Sequence, residues 1–196
     1  MNAERFPGLR DGWARLDGPA GSQMVDVAIE AMAEWMRSGR SANQHGAFAA
    51  ADASDALVDA ARASAAALLG GDAREIAFGP SMTTVTLAFS AAAGRTLHPG
   101  DEIVCTRLDH DANVRPWLIA AERAGARVRF AEPDPETLEL PASAVEAVLS
   151  ERTRWVAVTA ATIASSSGTV PTALLAAVTA TQRVRSESTA LSLIHI

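Results

Sequence analysis

Three segments of this 196-residue chain have side chains of the type and spacing needed to hold a phosphorylated cofactor. GPSMTT (79–84) reads as a turn between a strand and a helix. A helix N-terminus presents unpaired N–H groups and a partial positive charge, which suits a phosphate, and Thr83 or Thr84 adds a hydroxyl donor. Ser and Thr at helix starts are usually only caps, so this segment alone decides nothing. LDHDANVRPW (108–117) also follows a strand, where ligands gather in open α/β sheets. His110 there can stack flat on a heteroaromatic ring or move a proton. Asp109 and Asp111 flank it and are expected to favour its protonated form. The plainer reading is a loop histidine between a solvated turn and a helix cap, and Asp111 is read that way. The third segment, TAATIASSSGTVP (159–171), is a Ser/Gly-rich loop able to approach a ligand closely, or an ordinary connection.

Alternating helices and strands must position these segments. Residues 1–21 read as an extended arm with turns (FPGLRDGW, LDGPAG). Val25, Ala28, Ile29, Met32, Trp35 and Met36 recur at helical spacing, with Ser22 as N-cap and Gly39 as stop. A loop containing RSANQHGAF leads to a second helix from about Ser54 to Leu69, ended by Gly70-Gly71. Strands are predicted over 74–78 (REIAF), 101–107, 126–132 and 153–161. Helices are predicted over the stretch after GPS, over DANVRPWLIAAERAG with Pro116 in its first turn, and over PASAVEAVLS. Such alternation implies β-α-β units and a mostly parallel sheet with flanking helices, an α/β fold.

Composition narrows the class. Hydrophobic residues make up 48% and charged residues 20%, which fits a globular chain. No apolar run approaches the roughly 20 residues of a membrane helix. MNAERFPGLRDGW has no apolar signal region, so the expected location is cytoplasmic. All seventeen basic residues are Arg, and the net charge of −6 argues against a nucleic-acid partner. The single Cys105, within EIVCT, reads as a buried small apolar residue. A nucleotide-binding domain ranks last, because neither G-x-G-x-x-G nor G-x-x-x-x-G-K-[ST] occurs.

Four segments occur in the order and spacing of the cysteine desulfurase-like (class V aminotransferase) family, fold-type I pyridoxal-phosphate enzymes. They are FPGLRDGWARLDGPAGSQ, GAFAAADASDALVDAARA, EIAFGPSMTTVTLAFS and PGDEIVCTRLDHDANVRPW. The resemblance runs from about residue 6 to about residue 161. LDHDANVRPW, which is similar to the family's acidic-His-x-Ala-Asn-x-x-Pro-Trp signature, is its most specific part. The resemblance implies pyridoxal 5'-phosphate as cofactor, a small amino acid as substrate and a homodimeric parent. It implies that Ser81, Met82 and Thr83 form the phosphate-binding turn. His110 would stack on the pyridine ring and assist proton transfer, a catalytic as well as cofactor-binding role. Asn113 and Trp117 are read as structural, one a helix-start contact and the other core packing. Gly46 matches a loop position near the family's substrate entrance, and His45 beside it is read as exposed.

The sequence also departs from the family. It contains no lysine, the residue that holds the cofactor as a Schiff base. The family's lysine, its acidic partner for the pyridine nitrogen and its sulfur-accepting cysteine all fall beyond the matched segment, and Cys105 matches none of them. The Ser-Asn that usually follows the VAVTAA strand is replaced by ATIASSSGTVP, so Ser165, Ser166 and Ser167 are left out of the site. The closing LSLIHI is what the string CTGTCTCTTATACACATC encodes, a transposon-adapter end used in sequencing libraries. The expected division is therefore an arm and helix (1–50), a partial cofactor-binding large domain (51–172) and a non-native tail (173–196). Two readings follow: an N-terminal enzyme fragment, inactive without its lysine, or a cofactor-free binding or regulatory paralogue. Strands left without neighbours would make the isolated chain self-associate. A monodisperse, cooperatively melting monomer would count against that.

Overall fold

A computed structural model of the chain describes residues 3–13 and 21–159. Residues 160–171 of the third candidate segment, Ser165 to Ser167 among them, and the 173–196 tail lie outside the described residues. The chain divides into two compact units after Ile76.

The first unit holds two helices, α1 (Asp26–Arg37) and α2 (Ala49–Leu69). Ser22 does not cap α1. The N-cap is Val25 in extended conformation, and Asp26 accepts the Val27 N–H on its own carboxylate at 2.7 Å, placing an acid at the positive helix end. Gly39, at φ 70°, does stop it. Helix α2 starts five residues ahead of Ser54, because Ala49–Ala51 are strong helix formers. Ser54 lies inside the helix, and its hydroxyl donates to the carbonyls of Ala42 (2.9 Å) and Ala50 (3.1 Å). Gly70 closes α2 in the left-handed conformation, as its residue type predicts.

The predicted strand at 74–78 is absent. Asp72 caps a 3-10 turn over Ala73–Glu75, accepting the Arg74 N–H at 2.8 Å while Glu75 accepts the Asp72 N–H at 3.2 Å. This reciprocal capping coils the start of the segment. Ile76 is extended but has no ladder partner among the described residues.

The second unit is a three-stranded parallel sheet in the order β2-β1-β3, with β1 Glu102–Thr106, β2 Arg127–Ala131 and β3 Thr153–Val156. Alternation of side chains sends Ile103, Cys105, Val128, Phe130, Trp155 and Ala157 to one face. That face packs on α3 (Met82–Ala93) and α4 (Asp111–Ala124) through Phe89, Ala93, Trp117 and Ala121. Val104, Ala131, Val156 and Val158 take the other face, against Val145 of the short α5 (Ala142–Glu146) and Leu149. The register of β1 and β3 shifts once. Glu102 pairs with Thr153 and Ile103 with Trp155, so Arg154 is the extra residue of a bulge and its Nε meets Asp101 at 3.1 Å.

Several expected bounds move. Helix α5 covers five residues of the predicted PASAVEAVLS helix, and β3 ends at Val156, although Ala157 still donates to Val104 at 2.8 Å. Pro116 is the sixth residue of α4, beyond its first turn. Lacking an N–H, it leaves the Ala112 carbonyl without its helical donor while the buried ring adds to packing.

Candidate functional site

Ser81 is the N-cap of α3. Its hydroxyl accepts the Thr84 N–H at 3.3 Å and lies 3.1 Å from the Thr84 hydroxyl. The cap therefore uses Ser81 and Thr84 on each other. The N–H groups of Met82 and Thr83 belong to the first turn, which has no intrahelical acceptors for them. Both residues are exposed, with the Thr83 side chain beside them. Gly79 keeps the preceding turn tight, since a Cβ on it would stand 2.4 Å from Val85 Cγ2. The donor set is thus two backbone N–H groups, one hydroxyl and a positive helix end, which fits a phosphate monoester.

His110 is the N-cap of α4. Its Nδ1 accepts the Ala112 N–H at 3.1 Å, which leaves Nε2 as the ring position that carries or exchanges a proton. The ring is exposed, with room for a flat partner.

Two contacts show how the two turns relate. Phe89 meets Trp117 edge to face, and farther along a Cβ on Gly94 would lie 3.2 Å from that of Ala120. Contact advances in the same direction on both helices, so α3 and α4 run parallel. Met82 and His110 each lie seven residues, about two helical turns, before the Phe89–Trp117 contact. Both N-termini therefore face the end of the unit where β1 terminates.

Asp109 differs from the expectation. Rather than facing His110, its carboxylate accepts from the Thr106 hydroxyl at 2.5 Å, from Asn113 Nδ2 at 2.9 Å and from the Thr159 hydroxyl. A further bond of 3.5 Å runs from Asn113 to Thr159. Thr106 and Asn113 are buried, so these bonds satisfy groups that would otherwise be costly. Asn113 is the helix-start contact predicted for it, and Trp117 is core, 4% exposed. Thr106 and Thr159 were not anticipated. The local signal was the three-residue step from Thr106 to Asp109 and the four-residue step to Asn113, whereas Thr159 is fifty residues away. Burial, then the charge of Asp109, pushes the Cys105 thiol up to about 12, which suits an inert core residue.

The model of one family, aminotransferase class-V, matches residues 14–182. The chain belongs to that family. It is 40% identical over 156 residues to an uncharacterised protein of Mycobacterium tuberculosis, covering 79% of this chain and 39% of the relative. It is 32% identical over 149 residues to a cysteine desulfurase of Enterobacter sp. strain 638, covering 74% of this chain and 36% of that one. Among solved structures it resembles the apo cysteine desulfurase of Thermococcus onnurineus NA1, with TM-score 0.72, 25% identity and 83% and 40% of the two chains covered. The chain thus spans less than half the length of the relatives it matches. Its fold is that of a class V aminotransferase over the described residues, a parallel sheet with flanking helices.

The remaining residue carried over by resemblance lies in the first unit. Gly46 sits in a loop held to α2, and a Cβ on it would stand 2.5 Å from Phe48 Cε1 and 3.0 Å from Ala51 Cβ. His45 is exposed, but it is also pinned. Its N–H donates to Asp55 at 3.0 Å, its Nδ1 lies 3.2 Å from the same carboxylate, and its φ is 63°. Among the described residues there is no cluster that could hold a metal ion and no helix long and apolar enough to cross a membrane.

Proposed function

We propose that this chain is the N-terminal part of a pyridoxal-phosphate enzyme acting on a small amino acid, by cysteine desulfurase-like C–S bond cleavage and sulfur transfer or by amino-group transfer. The observation that carries the reading is the shared end of α3 and α4, which offers an anion-binding first turn beside an exposed histidine ring. The curated cysteine desulfurases that align with most of this chain support the reaction class.

In this reading the Met82 and Thr83 N–H groups and the Thr83 hydroxyl hold the phosphate, with Ser81 fixing the turn. When bound, the pyridoxal ring supplies an electron sink for an attached amino acid. His110 presents its face to that ring and moves a proton at Nε2. Residues 51–172 contribute to the large domain, and the parent is a cytoplasmic homodimer. The lysine that attaches the cofactor comes from sequence other than these 196 residues, and this chain alone forms no covalent link to it.

The absence of lysine favours one second reading, a cofactor-free binding or regulatory paralogue of the same fold. Recovering the complete gene and titrating its product with pyridoxal phosphate separates the two. A visible absorption band that borohydride converts into a covalent label is the expected result, and cysteine is then the first substrate to screen. A complete, folded product with no band moves the paralogue reading to first place.

A further inference from the structure

We infer that Asp109 is the positioning residue of this site, tying His110 to the ends of two strands. The inference rests on the cofactor reading above for its purpose, but its geometry stands apart from that reading. Thr106 is the last residue of β1, Asn113 lies in the first turn of α4 and Thr159 lies three residues past β3. One carboxylate accepts from all three. It therefore fixes the first turn of α4 against β1 and against the β3 extension at once. His110 is the next residue and shares that turn, where its Nδ1 bond to the Ala112 N–H sets the ring plane. Through the chain on one side and Asn113 on the other, Asp109 limits how that turn can tilt. Asp111, on the other side of His110, is exposed and outside the cluster. Two acids flank the histidine, and only one holds it.

Asp109 is the only acceptor in this cluster that cannot donate, since the other members are two hydroxyls and an amide. An amide in its place would bring a donor among donors and force one partner to turn. Replacing Thr159 by Val removes a single hydroxyl at nearly constant shape and is the milder disturbance.

The test uses the complete gene product with histidine labelled in 15N, compared as wild type and as Asp109→Asn, Thr159→Val and the control Asp111→Asn. The His110 signal is assigned by its loss in His110→Gln. In the cofactor-free protein, the wild type and Asp111→Asn are expected to show His110 with Nδ1 unprotonated as one tautomer. Asp109→Asn and Thr159→Val should give averaged ring signals. With pyridoxal phosphate bound, Asp109→Asn and Thr159→Val should retain its stoichiometry but lose most of its visible circular dichroism, which reports ring orientation. Unchanged ring signals in both variants overturn the inference, and so does an equal effect of Asp111→Asn, which would point to net charge. A wild type that takes up no pyridoxal phosphate defeats the cofactor reading alone, because the tautomer comparison still decides the role of Asp109.

Discussion

Phe89 of α3 and Trp117 of α4 meet edge to face, with ring centroids 5.9 Å apart and planes at 79°. Trp155 of β3 completes the cluster, 5.6 Å from Phe89 and 5.8 Å from Trp117. The contact joins both helices to the sheet and sets the level of their N-termini. Trp117→Ala should therefore cost about 3–5 kcal/mol of stability, the usual range for removing a buried indole. Trp117→Phe should cost less, because it keeps a ring there and removes a buried Nε1–H that has no partner among the described residues. Urea unfolding of the two variants checks the order.

Gly79 is needed for space. In Gly79→Ala the new methyl would need the position held by Val85, and overpacking of this kind costs about 1–3 kcal/mol. Trimming the neighbour in the double variant Gly79→Ala/Val85→Ala should recover part of that loss. A thermal melt of the single and double variants reads the coupling, and additive losses would show that the clash is relieved some other way.

At the start of α3, Ser81 and Thr83 should separate cleanly. Ser81→Ala removes the cap on the Thr84 N–H and should lower stability by about 1 kcal/mol. Thr83 caps nothing, so Thr83→Ala should leave the melting temperature unchanged. It should weaken inorganic phosphate binding roughly tenfold, the worth of one hydrogen bond to a charged group. A phosphate titration followed at the Met82 and Thr83 amides measures this.

Cys105 predicts an alkaline limb. Its folded thiol, held up to about 12 by burial and then by the Asp109 charge, keeps its proton longer than an unfolded thiol does. The folded state therefore binds more protons between the two values. The contribution is fully present below the unfolded value of about 8.5 and is lost as pH rises toward 12. Stability measured from pH 8 to 11 should fall less steeply in Cys105→Ala. At pH 8 a thiol reagent should label the wild type only once urea unfolds it.

The alternating pattern of the second unit was legible in the sequence because its strands are short apolar runs separated by Gly and Pro. The N-cap role of Ser81, the Gly39 and Gly70 stops and the burial of Cys105 and Trp117 followed from residue type. Local chemistry misled where two local rules competed. Ser22 and Ser54 looked like caps, yet Asp26 and the Ala49–Ala51 run fixed the helix starts. REIAF had strand propensity, but Asp72 and Glu75 capped a turn at its head, and the rest has no neighbouring strand among the described residues. At the site, His110 was readable from a signature. The duty of Asp109 was not, because its third donor, Thr159, arrives only when β3 lies beside β1.

The bulge at Arg154 makes the sheet count residues modulo two. Without that one extra residue, Arg154 would stand opposite Ile103 and point into the aromatic cluster, while Trp155 would turn to the opposite side of the sheet with Val104. A single-residue deletion just before Trp155 thus inverts the parity of everything after it, including which side Thr159 presents to Asp109. A two-residue change preserves parity and only shifts the level. For a relative of this chain, the evenness of the spacing between Arg152 and Thr159 matters more to the site than the identity of the residues between them.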